Sequence, residues 1–153
     1  VNIVMENNIK RQYRGYIFSR PFMDERVPQH VQNIVIRDYC SKKNIQYLLS
    51  ATEYAMKNST LILRQLVREL NSIDGIVAYS IFQMPEDDNE RKIIFNSVLS
   101  SKKEIHFAQE GLALYDNETY SHIENIWKVK KTLVNCNFFE QEKTNYLLGM
   151  KKF

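Results

Sequence analysis

The segment Gly15-Tyr16-Ile17-Phe18-Ser19-Arg20-Pro21 is a short apolar run that passes directly into polar residues. Such a run predicts a buried strand, with the polar residues at its carboxyl end. Pro28 then stands where proline is favoured, in the first turn of a helix, and apolar residues recur at helical spacing over 31–39. A strand followed by a helix that ends near Ser41 is the first half of a βαβ unit.

The same alternation of strand and helix continues along the chain. Predicted strands cover 45–49, 73–81 and 104–108, and helical patterns follow them from about 61, 85 and 116. Strands that alternate with helices of this length predict right-handed βαβ units and a parallel sheet. We therefore predict an α/β fold with a small parallel sheet of about four strands, helices on both faces, and a C-terminal helix.

The length and composition are typical of one globular domain. The chain has 153 residues, of which 44% are hydrophobic and 25% charged, and it has only four glycines and three prolines. We predict a single α/β domain over 13–134, an N-terminal extension over 1–12, and a C-terminal tail or docking segment over 135–153. In that tail Phe138-Phe139 and Tyr146-Leu147-Leu148 favour packing, for example on a second copy.

Charge and cysteine content argue against several classes of protein. The net charge is +3 with the two signs interspersed, whereas nucleic-acid binders usually carry a clustered basic stripe. No apolar run approaches the roughly 20 residues of a membrane span. Cys40 and Cys136 form neither a metal-ligand quartet nor a disulfide framework. We predict a cytoplasmic protein with no nucleic-acid or membrane partner, no metal and no organic cofactor.

The predicted sheet also indicates where a site would lie, because open parallel sheets bind ligands beyond the carboxyl ends of their strands. The catalytic candidates selected by this rule are Glu53, Glu110 and Ser19. Glu53 and Glu110 would form a general acid/base pair if their environments split their pKa values. The alternative is that these residues are polar only because the chain leaves the core at strand ends.

The same region supplies candidates for substrate binding. Arg20 would clamp a phosphate or carboxylate with two hydrogen bonds. Gln83 and Tyr54 would contact sugar hydroxyls, and Arg26 and His30 would join an anion site at the start of the first helix. His106, inside a predicted strand, is interpreted as a packed histidine.

Over residues 14–115 the order of elements resembles the catalytic domain of serine recombinases, the resolvases and invertases. The resemblance rests on five stretches: 15–20, Gln32 to Cys40, Glu53 after the second strand, Asp74 to Tyr79, and Gln109 to Gly111. It implies a resolvase-like arrangement of the sheet, which is related to the flavodoxin-like one.

The catalytic residues of that family do not carry over. Its nucleophilic serine follows an arginine in a Y-x-R-V-S run, but here Phe18 replaces the arginine, Arg20 occupies the serine position and Ser19 stands one place early. The family's Y-x-L-D-R-L-x-R signature reads Y-S-I-F-Q-M-P-E over 79–86, without either arginine. Because those arginines would stabilise a phosphoryl transition state, we predict that the chain is not a working recombinase.

A second resemblance, over residues 13 to about 130, is to the uncharacterised sporadic carbohydrate cluster proteins. It rests on the stretches 13–23, 25–33, 50–56 and 107–112. Members of that family are encoded among bacterial genes for lipopolysaccharide and other surface carbohydrates. The resemblance implies a role in making or modifying an unusual sugar, without supplying a reaction.

Three functional hypotheses follow from these observations. The first is a small protein of surface-carbohydrate (lipopolysaccharide or O-antigen) biosynthesis that binds or modifies a sugar phosphate or nucleotide-activated sugar. The second is a non-catalytic partner that forms a homo-oligomer, or a complex with a carbohydrate-pathway enzyme, through its last helix and tail. The third is a nucleic-acid role related to the recombinase-like fold. Whether the chain is an enzyme stays open at this point.

Overall fold

The structure, a computed structural model, describes residues 9–150, except for the side chains at 137–139, 146, 149 and 150. The predicted packing of Phe138-Phe139 and Tyr146 therefore lies outside the described side chains, whereas Leu147 and Leu148, predicted to pack with them, are exposed. The chain divides into two compact units, Val1–Asp116 and Asn117–Phe153. The strands are β1 (Gln12–Phe18), β2 (Gln46–Glu53), β3 (Gly75–Ala78), β4 (Glu104–Phe107) and β5 (Leu112–Leu114), and the helices are α1 (Gln29–Lys42), α2 (Leu61–Arg68), α3 (Asp88–Ser100) and α4 (Asn117–Met150).

The first unit contains one sheet with the strand order β2-β1-β3-β4-β5. The pairs β1–β2, β1–β3 and β3–β4 are parallel, as predicted, whereas β4 and β5 are antiparallel. The sheet therefore has five strands rather than about four. The sequence pattern missed β5 because three residues are too few to show a period. The hairpin before β5 closes at Gly111, which has a φ of +67°.

The direction of the crossovers places the helices. The step from β1 to β2 runs one way across the sheet, and the steps to β3 and β4 run the other way. Right-handed crossovers therefore put α1 on one face and α2 and α3 on the opposite face. The contact between α2 and α3 agrees with this arrangement. All four residues of β3 are buried, so the core lies around the centre of the sheet.

The pairing of β1 with β2 contains a bulge. Tyr13 pairs with Tyr47, but Gly15 pairs with Ser50, so β2 carries one extra residue. The Tyr47 side chain crosses β1 at this point, and a Cβ built on Gly15 would lie 2.6 Å from the Tyr47 hydroxyl oxygen. A larger residue at position 15 would displace the Tyr47 ring, so glycine allows the ring to lie close over β1.

Local capping sets the start of α3. The sequence pattern predicted a helix from Pro85, but the helix begins at Asp88 because the Asp87 carboxylate accepts a hydrogen bond from the backbone N–H of Glu90 at 2.8 Å. The fully buried Arg91 donates to the carbonyl of Pro85 at 2.9 Å and so fixes the preceding turn.

The second unit consists of α4, which is 34 residues long. At 1.5 Å per residue such a helix extends about 51 Å. It is continuous through position 134, where the domain over 13–134 was predicted to end, and that range stays a prediction. Among the residues described, no helix is long and apolar enough to cross a membrane.

Candidate functional site

The predicted site residues follow the carboxyl ends of the four parallel strands. Ser19 and Arg20 follow β1, Glu53 ends β2, Gln83 lies in a short 3₁₀ turn after β3, and Glu110 follows β4. Their hydrogen bonds show which of these side chains are available to a ligand and which are already engaged within the fold.

Glu53 is almost completely buried, with 1% of its surface exposed. Its carboxylate accepts five hydrogen bonds of 2.9 to 3.3 Å, from the hydroxyls of Tyr16 and Ser59 and from the backbone N–H groups of Tyr54, Ile62 and Leu63. The N–H groups at 62 and 63 belong to the first turn of α2, where an anion is favoured by the helix dipole. Glu53 therefore caps α2 from a neighbouring strand.

The protonation state of Glu53 follows from these contacts. Burial raises the pKa of its carboxyl, but the hydrogen bonds from Leu63, Ser59, Ile62 and Tyr16 outweigh burial and lower it overall. The pKa of Tyr16 is raised by its own burial and by the negative charge of Glu53. A general acid at neutral pH requires a raised carboxyl pKa. The lowered pKa of Glu53 instead favours an ionised carboxylate that holds the fold together.

Arg20 is also engaged within the fold. Its guanidinium donates to the carbonyl oxygens of Tyr54 at 2.8 Å, Met56 at 3.1 Å and Ser59 at 2.9 Å. The same group lies over the Phe18 ring, 4.2 Å from its centroid, in a cation–π contact. Three hydrogen bonds thus fix the loop that follows β2, and the role of Arg20 as a clamp for an external anion stays a prediction.

Ser19 and Glu110 make comparable internal contacts. The hydroxyl of Ser19 donates to the backbone carbonyl of Glu53 at 3.1 Å. The carboxylate of Glu110 accepts from the Ser80 hydroxyl at 2.6 Å and from the Ile81 N–H at 3.1 Å, at the start of the 3₁₀ turn that follows β3. Both residues therefore hold the chain where it leaves the sheet.

The two carboxylates proposed as an acid/base pair are not brought together. Glu53 ends β2 and Glu110 follows β4, and β1 and β3 lie between these strands. Three strand spacings amount to about 14 Å. Paired catalytic carboxylates of glycosidases lie within about 9.5 Å of each other. The catalytic roles of both residues stay predictions, and the geometry describes two separate caps.

Gln83 forms a buried amide pair with Gln32 of α1. Its side-chain N–H donates to the Gln32 amide oxygen at 2.7 Å, and its own oxygen accepts from the backbone N–H groups of Tyr79 and Ser80. The Gln32 amide in turn exchanges two hydrogen bonds with the backbone of Phe18. This pair joins the ends of β1 and β3, and nothing in the sequence spacing indicated it.

Three predicted binding residues lie on the surface. Tyr54, Arg26 and His30 are all exposed, Tyr54 with 52% of its surface. They are the candidates that the fold leaves open to solvent, and their binding roles stay predictions. Among the described residues, no group of three or more His, Cys, Asp or Glu side chains is placed to hold a metal ion.

A second polar cluster lies at the opposite, amino-terminal edge of the strands. Nδ1 of the buried His106 lies 2.7 Å from the Tyr39 hydroxyl, and its Nε2 lies 2.7 Å from Glu104. Glu104 also accepts from the Tyr13 hydroxyl at 2.5 Å and from Arg11 at 3.2 Å. Because an ionised carboxylate only accepts, His106 donates through Nε2 and accepts through Nδ1.

This second cluster ties α1 to the middle of the sheet. The pKa of His106 is lowered, first by burial, although Glu104 opposes that effect. The prediction that His106 is a packed histidine is confirmed, since only 7% of its surface is exposed. The spacing of Glu104 and His106, two apart on one strand, was the available signal that they share a face.

The part of α4 from Val129 onward differs from the strand ends. Every described side chain over 132–136, 140–145 and 147–148 is exposed. We call its exposed apolar residues the distal helix surface, and they are Val129, Leu133, Val134, Leu147 and Leu148, with 48 to 59% of each residue exposed. Cys136, also exposed, continues the spacing of Val129 and Leu133 along one side of the helix.

Comparisons with known proteins bear on the fold. No protein-family model matches the sequence, and no curated protein does. The N-terminal catalytic domain of TP901-1 integrase matches with a TM-score of 0.56 and 12% identity, over 84% of this chain and 97% of that chain. A resolvase family site-specific recombinase from Streptococcus pneumoniae matches with a TM-score of 0.56 and 6% identity, over 87% and 97%. This likeness shows a resolvase-like fold.

The comparisons also correct the main functional prediction. A role in surface-carbohydrate biosynthesis, with a sugar phosphate or nucleotide sugar as ligand, is wrong as the main interpretation, since the structural matches are recombinase and integrase catalytic domains. The resemblance to sporadic carbohydrate cluster proteins gains no support, since no family model matches. The resemblance to the serine-recombinase fold is confirmed.

Proposed function

We propose that this chain is a non-catalytic association module, which forms a homodimer through α4. The observation that carries this proposal is the exposure of every described side chain over 132–136, 140–145 and 147–148, with Leu133, Leu147 and Leu148 among them.

The physical reason is the cost of leaving such a helix unpartnered. Helices in proteins gain most of their stability from packing an apolar face, and isolated ones are marginal in water. The distal helix surface offers such a face, and water would otherwise cover it. A second copy of the chain presents the same surface, and two-fold symmetry allows each copy to cover the other.

The contacts at the strand ends support the non-catalytic part of the proposal. Glu53, Glu110, Arg20 and Ser19 each make hydrogen bonds to the chain itself. The matched structures are an integrase catalytic domain and a site-specific recombinase, but Arg20 occupies the position of the serine-recombinase nucleophile in this sequence. We therefore do not include DNA strand transfer in the proposal.

The compartment and the remaining partners belong to the same proposal. We place the protein in the cytoplasm, a choice that two free cysteines, Cys40 and Cys136, support, because thiols persist in reducing compartments. We include no nucleic acid among its partners, since the two signs of charge are interspersed over most of the sequence.

Sedimentation velocity of the full chain over a hundredfold concentration range tests the proposal. We expect a sedimentation coefficient that rises with concentration to the value of a dimer, twice the 18.2 kDa of the chain. A protein that sediments as a monomer throughout, up to several hundred micromolar, would contradict it.

A further inference from the structure

Over residues 128–143, which follow Glu118 and Glu124, the charges on α4 are segregated along the helix. Its exposed Lys128 is followed closely by Lys130 and Lys131, and no charged residue occurs over 132–139. Two exposed carboxylates, Glu140 and Glu142, then follow, with Lys143 next to them. The helix therefore has a basic segment, an uncharged middle that contains Leu133, and a segment that is acidic on balance.

We infer that the two copies pair through antiparallel α4 helices, with the basic segment of each copy beside Glu140 and Glu142 of the other. This inference rests on the proposed homodimer and adds its orientation. A parallel pair would set three lysines beside three lysines and carboxylates beside carboxylates, whereas reversal brings opposite charges together. Antiparallel helix dipoles also attract, so both electrostatic effects favour the same orientation.

The spacing of residues along one side of the helix is compatible with this reversal. Positions 129, 133, 136 and 140 follow at intervals of four, three and four residues, which read the same in both directions. A reversed copy can therefore match this row to itself, with Leu133 level with Cys136 of the second copy and Val129 level with Glu140. In that register Lys128 is level with position 141 of the second copy, one residue from both Glu140 and Glu142.

Zero-length carbodiimide cross-linking of the wild-type protein tests the orientation, since it joins only amines and carboxylates in contact. Lys128 and Glu142 of one helix lie 14 residues apart, which is about 21 Å, so a bond between them can form only between copies. We expect peptides that join Lys128 to Glu140 or Glu142. The variant Glu140→Gln/Glu142→Gln is the matched control, and it should lose these products.

The parallel alternative gives a different result. It would join Lys143 of one copy to Glu140 or Glu142 of the other, which a mixture of isotopically light and heavy protein identifies as links between copies. That product in a dimeric sample, without the Lys128 products, would overturn the antiparallel orientation and leave the proposed homodimer intact. A sample that sediments as a monomer would instead overturn the homodimer itself.

The salt dependence of dimerisation gives a second measurement that does not depend on cross-linking. Between 50 and 500 mM sodium chloride, attraction between the two segments predicts a dissociation constant that increases several-fold, because salt screens exposed charges. The Glu140→Gln/Glu142→Gln variant should lose most of this dependence. A dissociation constant that decreases with salt would show repulsion between like segments and would overturn the antiparallel orientation.

Discussion

The carboxyl ends of the strands and the distal helix surface differ in whether their side chains already have partners. At the strand ends Glu53, Arg20 and Gln83 look reactive in sequence, yet each makes hydrogen bonds within the chain itself. Along the distal helix surface Leu133 looks like ordinary core in sequence, yet it is exposed. Residue type alone suggested a site at the strand ends, whereas the partners of each side chain indicate an interface on the helix.

The largest expected effect comes from removing the carboxylate at the strand ends. In Glu53→Ala the buried donors of Tyr16, Ser59 and Leu63 lose their acceptor. Each buried donor left without an acceptor costs about 1–3 kcal/mol, so the free energy of unfolding should fall by at least about 3 kcal/mol. Urea denaturation measures this change, and Glu53→Gln, which keeps the shape, should lose less.

The control for this prediction is the neighbouring exposed residue. Tyr54→Ala should change the free energy of unfolding by no more than about 0.5 kcal/mol, as is usual for surface sites. If Glu53→Ala were as stable as the wild-type protein, the interpretation of Glu53 as a structural cap would be wrong and a role in ligand binding would regain weight.

The next largest effect is expected at the distal helix surface. Leu133→Glu puts a charge into the distal helix surface and should weaken dimerisation at least tenfold, which is about 1.4 kcal/mol. The unfolding of the first unit should not change. Ile93→Glu is the matched control, since Ile93 is an exposed apolar residue on α3, with 67% of its surface accessible. Equal dissociation constants for both variants would remove the distal helix surface from the interface.

A smaller effect is expected when the hydrogen bonds from Arg20 to the loop after β2 are weakened. Arg20→Lys keeps the charge but cannot reach the carbonyls of Tyr54, Met56 and Ser59 together. We expect a loss of about 1–2 kcal/mol in the free energy of unfolding, together with faster amide exchange in the loop. Unchanged amide exchange in this loop would mean that the Arg20 hydrogen bonds do not order it.

The smallest effect is a dependence of stability on pH that originates in the cluster around His106. Burial lowers the pKa of His106 below the usual 6.5, although Glu104 opposes this, and Arg11 and Lys43 lower it further. The unfolded chain therefore binds the proton more readily, so stability present above pH 6.5 is lost as the pH falls through the folded pKa. Urea denaturation between pH 5 and 8 measures this slope.

Two variants separate this contribution from others. His106→Gln should flatten the slope below pH 6.5, whereas the exposed His30→Gln should leave it unchanged. The pKa values of Glu53 and Glu104 are lowered on balance, because hydrogen bonds outweigh burial, so these carboxyls contribute losses only at more acid pH, below about 4.5. If the pH dependence of stability persists in His106→Gln, a different titratable group causes it.

The sequence predicted the parallel strands and their helices well, because each buried strand is an apolar run that ends in polar residues, as at Phe18 and Ser19. It missed β5, which is too short to show a period. It selected Glu53 and Gln83 correctly as strand-end residues. It could not show that Glu53 forms a hydrogen bond with Ser59 and Gln83 one with Gln32. Such partners lie far apart in sequence, and only the folded chain brings them together.

The most direct test of the account is hydrogen exchange of the full chain, measured by mass spectrometry at several protein concentrations. If α4 is the interface, peptides that cover 132–148 should exchange more slowly as the concentration rises. Peptides around Arg20 and Glu53 should exchange at the same rate throughout, because their contacts lie within one copy. Exchange over 132–148 that does not depend on concentration would contradict the central claim that this helix pairs with a second copy.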